Sequence, residues 1–154
     1  MADEGWAYLA GIVDGEGHLS IAAHISPGKT YVLRPTLEIG NTDKQLIDFC
    51  YKLLGCRGKI GVYTKNRQTL YYNCRLYSRD LEKPLQKLLP YLICKKSVAN
   101  LALRFINLHQ RYKGYSTEEI QIANQVRDMS RKNGHRARQI PLDKVVITHS
   151  DIEK

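Results

Sequence analysis

The sequence predicts an α+β domain with its core elements in the order αββαββα. A four-stranded antiparallel sheet is covered by helices on one face, and more helices follow at the C-terminal end. Three observations lead there. The apolar period switches from 3.6 to 2 near residue 17 and back again near residue 41. Two pairs of alternating segments, each joined by turn-forming residues, flank one short helical pattern. A length of 154 residues, 43% apolar and 25% charged, suits a single packed domain over 1–154, with a core at about 4–112 and a C-terminal helix and basic tail at about 113–154.

Residues 3–14 read as a helix in which Trp6, Leu9 and Val13 recur at i, i+3 and i+7, with Ile12 beside them. Ala7, Ala10 and Gly11 fall on a different side and are small enough for another backbone to approach. The helix closes on Asp14-Gly15-Glu16-Gly17, two carboxylates alternating with glycines. Residues 18–26 then alternate, Leu19, Ile21, Ala23 and Ile25 against His18, Ser20, Ala22, His24 and Ser26, and 26–29 supply turn chemistry. A second strand at 31–40 sets Leu33, Pro35, Leu37 and Ile39 against Val32, Arg34, Thr36 and Glu38, although Pro35 cannot donate to a ladder.

Thr42 and Gln45 form a capping box for the next helix. Its buried stripe is Leu46, Cys50 and Leu53, and Gly55 is its stop. The second hairpin, 57–65 with 69–77, turns around Asn66, Arg67 and Gln68. Ile60, Val62, Leu70, Tyr72, Cys74 and Leu76 point to one side, and Lys59, Gly61, Tyr63, Lys65, Tyr71, Asn73 and Arg75 to the other. Pro84 marks a helix start, and 96–112 form a helix through Val98, Leu101, Ala102, Phe105, Leu108 and Tyr112. Ser116 with Glu119 caps a last helix lined by Ile122, Val126 and Met129, before a basic tail with His135, Arg136 and Arg138.

Charge narrows the function. Twenty-four Lys and Arg against fifteen Asp and Glu give +9 and a pI near 9.4. That excess suits a polyanionic partner, or a surface that is merely well solvated. The sheet face without helices adds weight to the first reading, because it interleaves Arg34, Lys59, Lys65 and Arg75 with Tyr63, Tyr71 and Asn73. No apolar run has membrane-spanning length and the N-terminus lacks a signal-peptide pattern, so the expected setting is soluble and intracellular. The four scattered cysteines, without a C-x-x-C pair, fit a reduced protein with no structural zinc.

Residues 9–17, LAGIVDGEG, resemble the defining motif of the LAGLIDADG homing endonucleases, and the order of elements across 4–112 agrees with that family. The resemblance implies that two copies of the helix pack together at a twofold axis, here through Ala7, Ala10, Gly11 and Asp14. Gly15 and Gly17 would let the backbone turn out of the helix into the first strand. Glu16 would face the scissile phosphates and bind the catalytic metal together with the carbonyl of Gly15. The metal would be Mg²⁺, with Mn²⁺ able to substitute and Ca²⁺ binding without supporting cleavage. Lys95, in YLICKKSVANL, matches the family's active-site lysine, with Lys96 its neighbour. Asn41 matches a polar side chain near the attacking water, with Lys44 and Gln45 as nearby alternatives for a further group.

A single motif implies a homodimer on a long pseudo-palindromic duplex, cut in both strands to leave 3′ overhangs, in the service of intron mobility. Absence of protein-splicing motifs fits a free-standing intron-encoded enzyme in an archaeal cytoplasm, chloroplast or mitochondrion. Three other readings remain open at this point: an RNA maturase acting on its own intron RNA, a non-cleaving DNA-binding regulator, and a basic RNA-binding domain.

Overall fold

A computed structural model describes residues 2–27, 31–109 and 114–129. Helix α1 (Ala2–Glu16) leads without a loop into strand β1 (Gly17–Ile25), followed by β2 (Tyr31–Asn41) and α2 (Lys44–Leu54). Strands β3 (Gly61–Lys65) and β4 (Thr69–Tyr77) form the second hairpin. A single 3₁₀ turn (Ser78–Leu81) precedes α3 (Glu82–Leu88), α4 (Lys96–Leu108) and α5 (Thr117–Met129). The four strands lie in the order β1-β2-β4-β3, antiparallel throughout, so the second strand of each hairpin is central. This is the predicted α+β architecture.

Alternation sets which sheet face is buried. Leu19, Ile21, Leu33, Leu37, Ile39, Cys74 and Leu76 point into a core shared with Trp6, Leu9 and Val13 of α1 and Phe105 of α4. The Lys87 ammonium lies 5.1 Å from the centre of the Trp6 ring and closes that edge. Cys50, Cys56 and Cys74 are buried as free thiols, and burial pushes the Cys50 thiol up to about 11.

Pro35 is accommodated inside a central strand for a topological reason. Leu33 directs its N–H and C=O away from β1, and Pro35, two residues on, has the same orientation. Pairing with β4 reaches only Thr36↔Tyr77, because Ser78 adopts φ 51 and turns the chain away. Pro35 therefore lies just beyond the last ladder position, where no donor is required. The Tyr115 hydroxyl takes the place of the missing strand, accepting from Leu33 N at 2.9 Å and donating to Leu33 O at 3.2 Å.

Several local expectations are corrected. Asp43, not Thr42, caps α2, its carboxylate accepting from Gln45 N at 2.8 Å and Leu46 N at 3.3 Å. The buried stripe of α2 is Ile47, Cys50 and Leu54, one position on from that expected for Leu46 and Leu53. Strand β3 begins at Gly61 rather than 57, since Cys56 turns into the core after α2 while Arg57, Gly58 and Lys59 stay exposed. Val62 and Leu70 are 58% and 51% exposed, because the helical layer stops short of the hairpin tip. Helix α4 ends at Leu108, which is exposed, and Tyr112 lies outside the described residues. Pro84 sits inside the first turn of α3, where its missing N–H is not needed, rather than at its start.

Other expectations hold. Gly55 ends α2 at φ 68 with its N–H on Lys52 O, and Ser116 and Glu119 cap α5 reciprocally at 2.7 and 3.2 Å. The turn of the second hairpin is made by Asn66 and Arg67, both at positive φ. The first hairpin's turn runs into 28–30, which lie outside the described residues, as does the tail with His135, Arg136 and Arg138.

Candidate active site and nucleic-acid interface

The end of α1 opens on a cleft of about 680 Å³, bounded by Gly15, Glu16, His18, Lys95 and Met129. Glu16 is the last helical residue and is exposed there. The helix passes into β1 without a left-handed residue, for neither Gly15 nor Gly17 has positive φ. Gly17 is required by a close approach instead, since a Cβ at that position would stand 2.7 Å from Val13 O. Met129, expected in the core stripe of α5, is 45% exposed and lines the cleft.

Asp14 also lines this cleft and is tied to the loop before α4. Its two carboxylate oxygens accept Ile93 N at 2.8 Å and Lys95 N at 2.9 Å. Burial raises the Asp14 pKa, but the N–H groups of Ile93, Lys95 and Cys94 outweigh it and hold the carboxyl below its usual range. Lys95 reaches back, its Nζ donating to the Asp14 carbonyl at 2.6 Å. An ammonium is thereby fixed at the C-terminal end of α1, where helix carbonyls lack intrahelical donors. Asp14, expected in the dimer interface, forms an intrachain clamp spanning some eighty residues.

Among the described residues no group of three or more His, Cys, Asp and Glu side chains could enclose a metal. The donor set still suits Mg²⁺, which is commonly held by one or two carboxylates plus waters and phosphate oxygens. Glu16 offers one carboxylate and the last turn of α1 offers carbonyls, that of Gly15 among them. Asn41 is not brought to this cleft. It ends β2 with the parity of the helix-covered face, and its Oδ1 accepts Asp43 N at 2.9 Å. Lys44 pairs with Asp48 at 2.7 Å, and Gln45 and Lys96 are exposed at the starts of their helices.

The sheet face opposite the helices starts beside Glu16. Tyr71 lies across Gly40, where a methyl group would sit 2.5 Å from Tyr71 Cε1. Burial, then Tyr63 and the carboxylates of Glu16 and Glu38, push the Tyr71 hydroxyl up and keep it a donor. Arg75 donates to Glu38 at 2.9 Å, Asn73 donates to the same oxygen at 2.8 Å, and Arg34 stacks over the Tyr77 ring at 5.4 Å. His24, Val32, Arg34, Tyr63 and Arg75 are exposed, with Ser20, Ala22, Ser26, Glu38, Gly61 and Tyr71 half-buried. Two expected contact residues are corrected: Thr36 and Asn73 are buried, the former turned onto Arg34 O at 3.1 Å. Lys59 is exposed but precedes β3, and the Lys65 side chain lies outside the described residues. Tyr77 is an addition, findable from its i, i+2 spacing to Arg75 and Asn73.

On α1, Glu4, Ala7, Tyr8, Gly11 and Gly15 form an exposed strip. A Cβ at Gly11 or Gly15 would meet nothing in this chain. Ala10 is corrected, being fully buried in its own core. Tyr8, 58% exposed and edge-on to Phe49 at 5.3 Å, belongs to the strip that sequence reading assigned only to small residues.

No protein-family model matches the sequence. The DNA endonuclease I-CvuI of Chlorella vulgaris is 33% identical over 108 residues, 66% of this chain and 63% of that protein. The match thus spans a little under two thirds of the relative. A crystal structure of homing endonuclease I-CvuI with its target in the presence of Ca superposes with TM-score 0.64 at 22% identity, covering 88% of this chain and 87% of that one. The fold agrees with that structure over most of both chains. In sequence and in fold the chain is similar to homing endonucleases. I-CvuI with the I-CreI target and Mg, its DNA not cleaved, gives TM-score 0.66 at 23% identity over 93% of this chain and 90% of that one. The archaeal intron-encoded homing endonuclease I-Vdi141I with DNA gives 0.61 at 17% identity over 89% and 90%. These structural likenesses concern the fold.

Proposed function

We propose that this protein is a homodimeric, divalent-metal-dependent endonuclease that hydrolyses both strands of a long pseudo-palindromic DNA duplex, leaves 3′ overhangs and so promotes mobility of its intron. The observation that carries the reading is Glu16, an exposed carboxylate at the end of α1 where the cleft meets the open sheet face, with Lys95 clamped beside it. The sheet face supplies cations and aromatic rings for grooves and phosphates, as the relatives solved with DNA lead one to expect. The α1 strip of Ala7, Tyr8, Gly11 and Gly15 accepts a second copy, which brings two Glu16 carboxylates together about a twofold axis.

Glu16, the Gly15 carbonyl and a DNA phosphate would hold the ion. A bound Mg²⁺ supplies a water of lowered pKa and charge stabilisation at the phosphorus. Lys95, fixed by Asp14, stabilises negative charge developing on the phosphate oxygens and orients the water. His18 lines the same cleft and contacts the strand entering it. Mn²⁺ supports the reaction, whereas Ca²⁺ permits binding without cutting. No helix among the described residues is long and apolar enough to cross a membrane.

The test is digestion of a randomised duplex library with Mg²⁺, with Ca²⁺ and with EDTA, followed by sequencing of ends. Mg²⁺-dependent breaks with 3′ overhangs at a near-palindrome establish the activity. Sequence-specific binding that never yields breaks, in either Mg²⁺ or Mn²⁺, overturns it.

A further inference from the structure

A carboxylate in the middle of a surface built for a polyanion needs a reason. Glu38 occupies the outer face of β2, directly opposite His18 of β1 and Arg75 of β4. Its Oε1 accepts from both Asn73 Nδ2 at 2.8 Å and Arg75 Nη2 at 2.9 Å. Both bonds fall on one oxygen, which leaves Oε2 as the acceptor for a further donor. Asn73 is itself pinned, for it is buried beneath Gly61, and any side chain at Gly61 would overlap the Asn73 amide. The group is preorganised before any ligand arrives.

Base edges decide what such a group can read. In the major groove, guanine offers two acceptors and thymine one, and both repel a carboxylate. Adenine sets its amino donor beside the N7 acceptor, whereas cytosine presents the N4 amino group as its only polar contact. We propose that Glu38 is a specificity-determining residue that accepts the N4 amino group of a cytosine in each half-site, held in register by Arg75 and Asn73. The inference rests on the endonuclease reading above and deepens it. The two bonds to Asn73 and Arg75 fix the Glu38 carboxylate in place, so it discriminates against thymine and guanine as much as it selects cytosine.

The experiment is selection of bound duplexes from a randomised library in Ca²⁺ by the full chain, the Glu38→Gln variant and the Glu38→Asp variant, each checked for an unchanged melting transition. Wild type is expected to enrich a cytosine at one position in each symmetric half, by about 5- to 100-fold over the other bases. Glu38→Gln reduces that enrichment to about twofold or less while the remaining positions keep theirs; Glu38→Asp retains cytosine but weaker. An unchanged Glu38→Gln consensus, or a uniform loss at all positions, overturns the proposal. A wild-type library without any consensus would sink the endonuclease reading itself, and this one with it.

Discussion

Asp14 and Lys95 hold one another twice: the Asp14 carboxylate accepts the Lys95 N–H at 2.9 Å, and the Lys95 ammonium returns a bond to the Asp14 carbonyl at 2.6 Å. This joins the last turn of α1 to the first residue before α4, and it aims a cation at the helix end that carries Glu16. Asp14→Asn keeps one acceptor but sets an NH₂ group against a backbone N–H. The expected loss is about 1–3 kcal/mol, or a fall in melting temperature of about 2–4 °C per kcal/mol for a domain of this size. The pH dependence has a defined sign. The folded pKa lies below the ordinary 3.8, so the clamp contributes its full stability above that value and loses it as pH falls through the folded pKa. Acid unfolding curves of wild type and Asp14→Asn should therefore draw together only as pH falls below 3.8 and through the folded pKa. A constant gap between the curves down to the lowest pH would show that the carboxylate charge plays no part.

Glu16→Gln removes an exposed carboxylate of the cleft and should leave the fold untouched, since Glu16 is exposed and lies at a helix end. Cleavage is expected to fall by roughly 10³-fold or more, as a charged metal ligand becomes a neutral amide. Binding measured in Ca²⁺ or EDTA by gel shift should change by less than about 3-fold, because phosphate and base contacts supply most of the affinity. Normal cutting by this variant would move catalysis to another residue.

The fold was largely legible because periodicity reports faces directly. The helix–hairpin–helix–hairpin order, the Gly55 stop and the Ser116–Glu119 cap all rest on interactions within a few residues. What was not legible depends on partners distant in sequence. Ala7, Ala10 and Gly11 look alike as small residues, yet Ala10 alone is buried, because α1 packs against the sheet, α2 and α3 at once and needs a wider apolar stripe. Asp14 reads as the end of a motif until the loop at 93–95, brought in by α3 and α4, supplies its N–H donors. Asn41 reads as an active-site amide, but strand parity turns it to the helix side, where its local bond to Asp43 N competes. The Glu38–Asn73–Arg75 group depends on the β2–β4 register, which no local pattern specifies.

Gly11→Arg and Ala10→Asp separate assembly from folding. A side chain at Gly11 meets nothing in its own chain, so Gly11→Arg should fold with an unchanged or slightly raised melting temperature. It should nevertheless be monomeric in sedimentation at micromolar concentration, with two guanidinium groups brought together at the twofold axis. Ala10 is fully buried, and Ala10→Asp should lose several kcal/mol and express poorly. A Gly11→Arg protein that remained dimeric would place the interface elsewhere than on α1.

Tyr115→Phe tests whether the hydroxyl that stands in for a strand at Leu33 matters to the sheet. The change deletes one oxygen and orphans a buried N–H and C=O, which bond it at 2.9 and 3.2 Å. The expected loss is about 1–3 kcal/mol, read as a shift of the urea midpoint at constant slope. Burial pushes the Tyr115 pKa above its ordinary value of 10 and outweighs the Leu33 bonding. A raised folded pKa means that the wild-type contribution is complete below pH 10 and is lost as pH rises through the folded value. The difference between wild type and Tyr115→Phe should therefore be flat from neutral pH to about pH 10 and shrink beyond it. Amide exchange at Leu33 gives the local check: protection there should drop in the variant while Leu37 and Ile39, paired to β4, keep theirs. Equal loss at all three amides would mean that Tyr115 supports the whole domain rather than this one position.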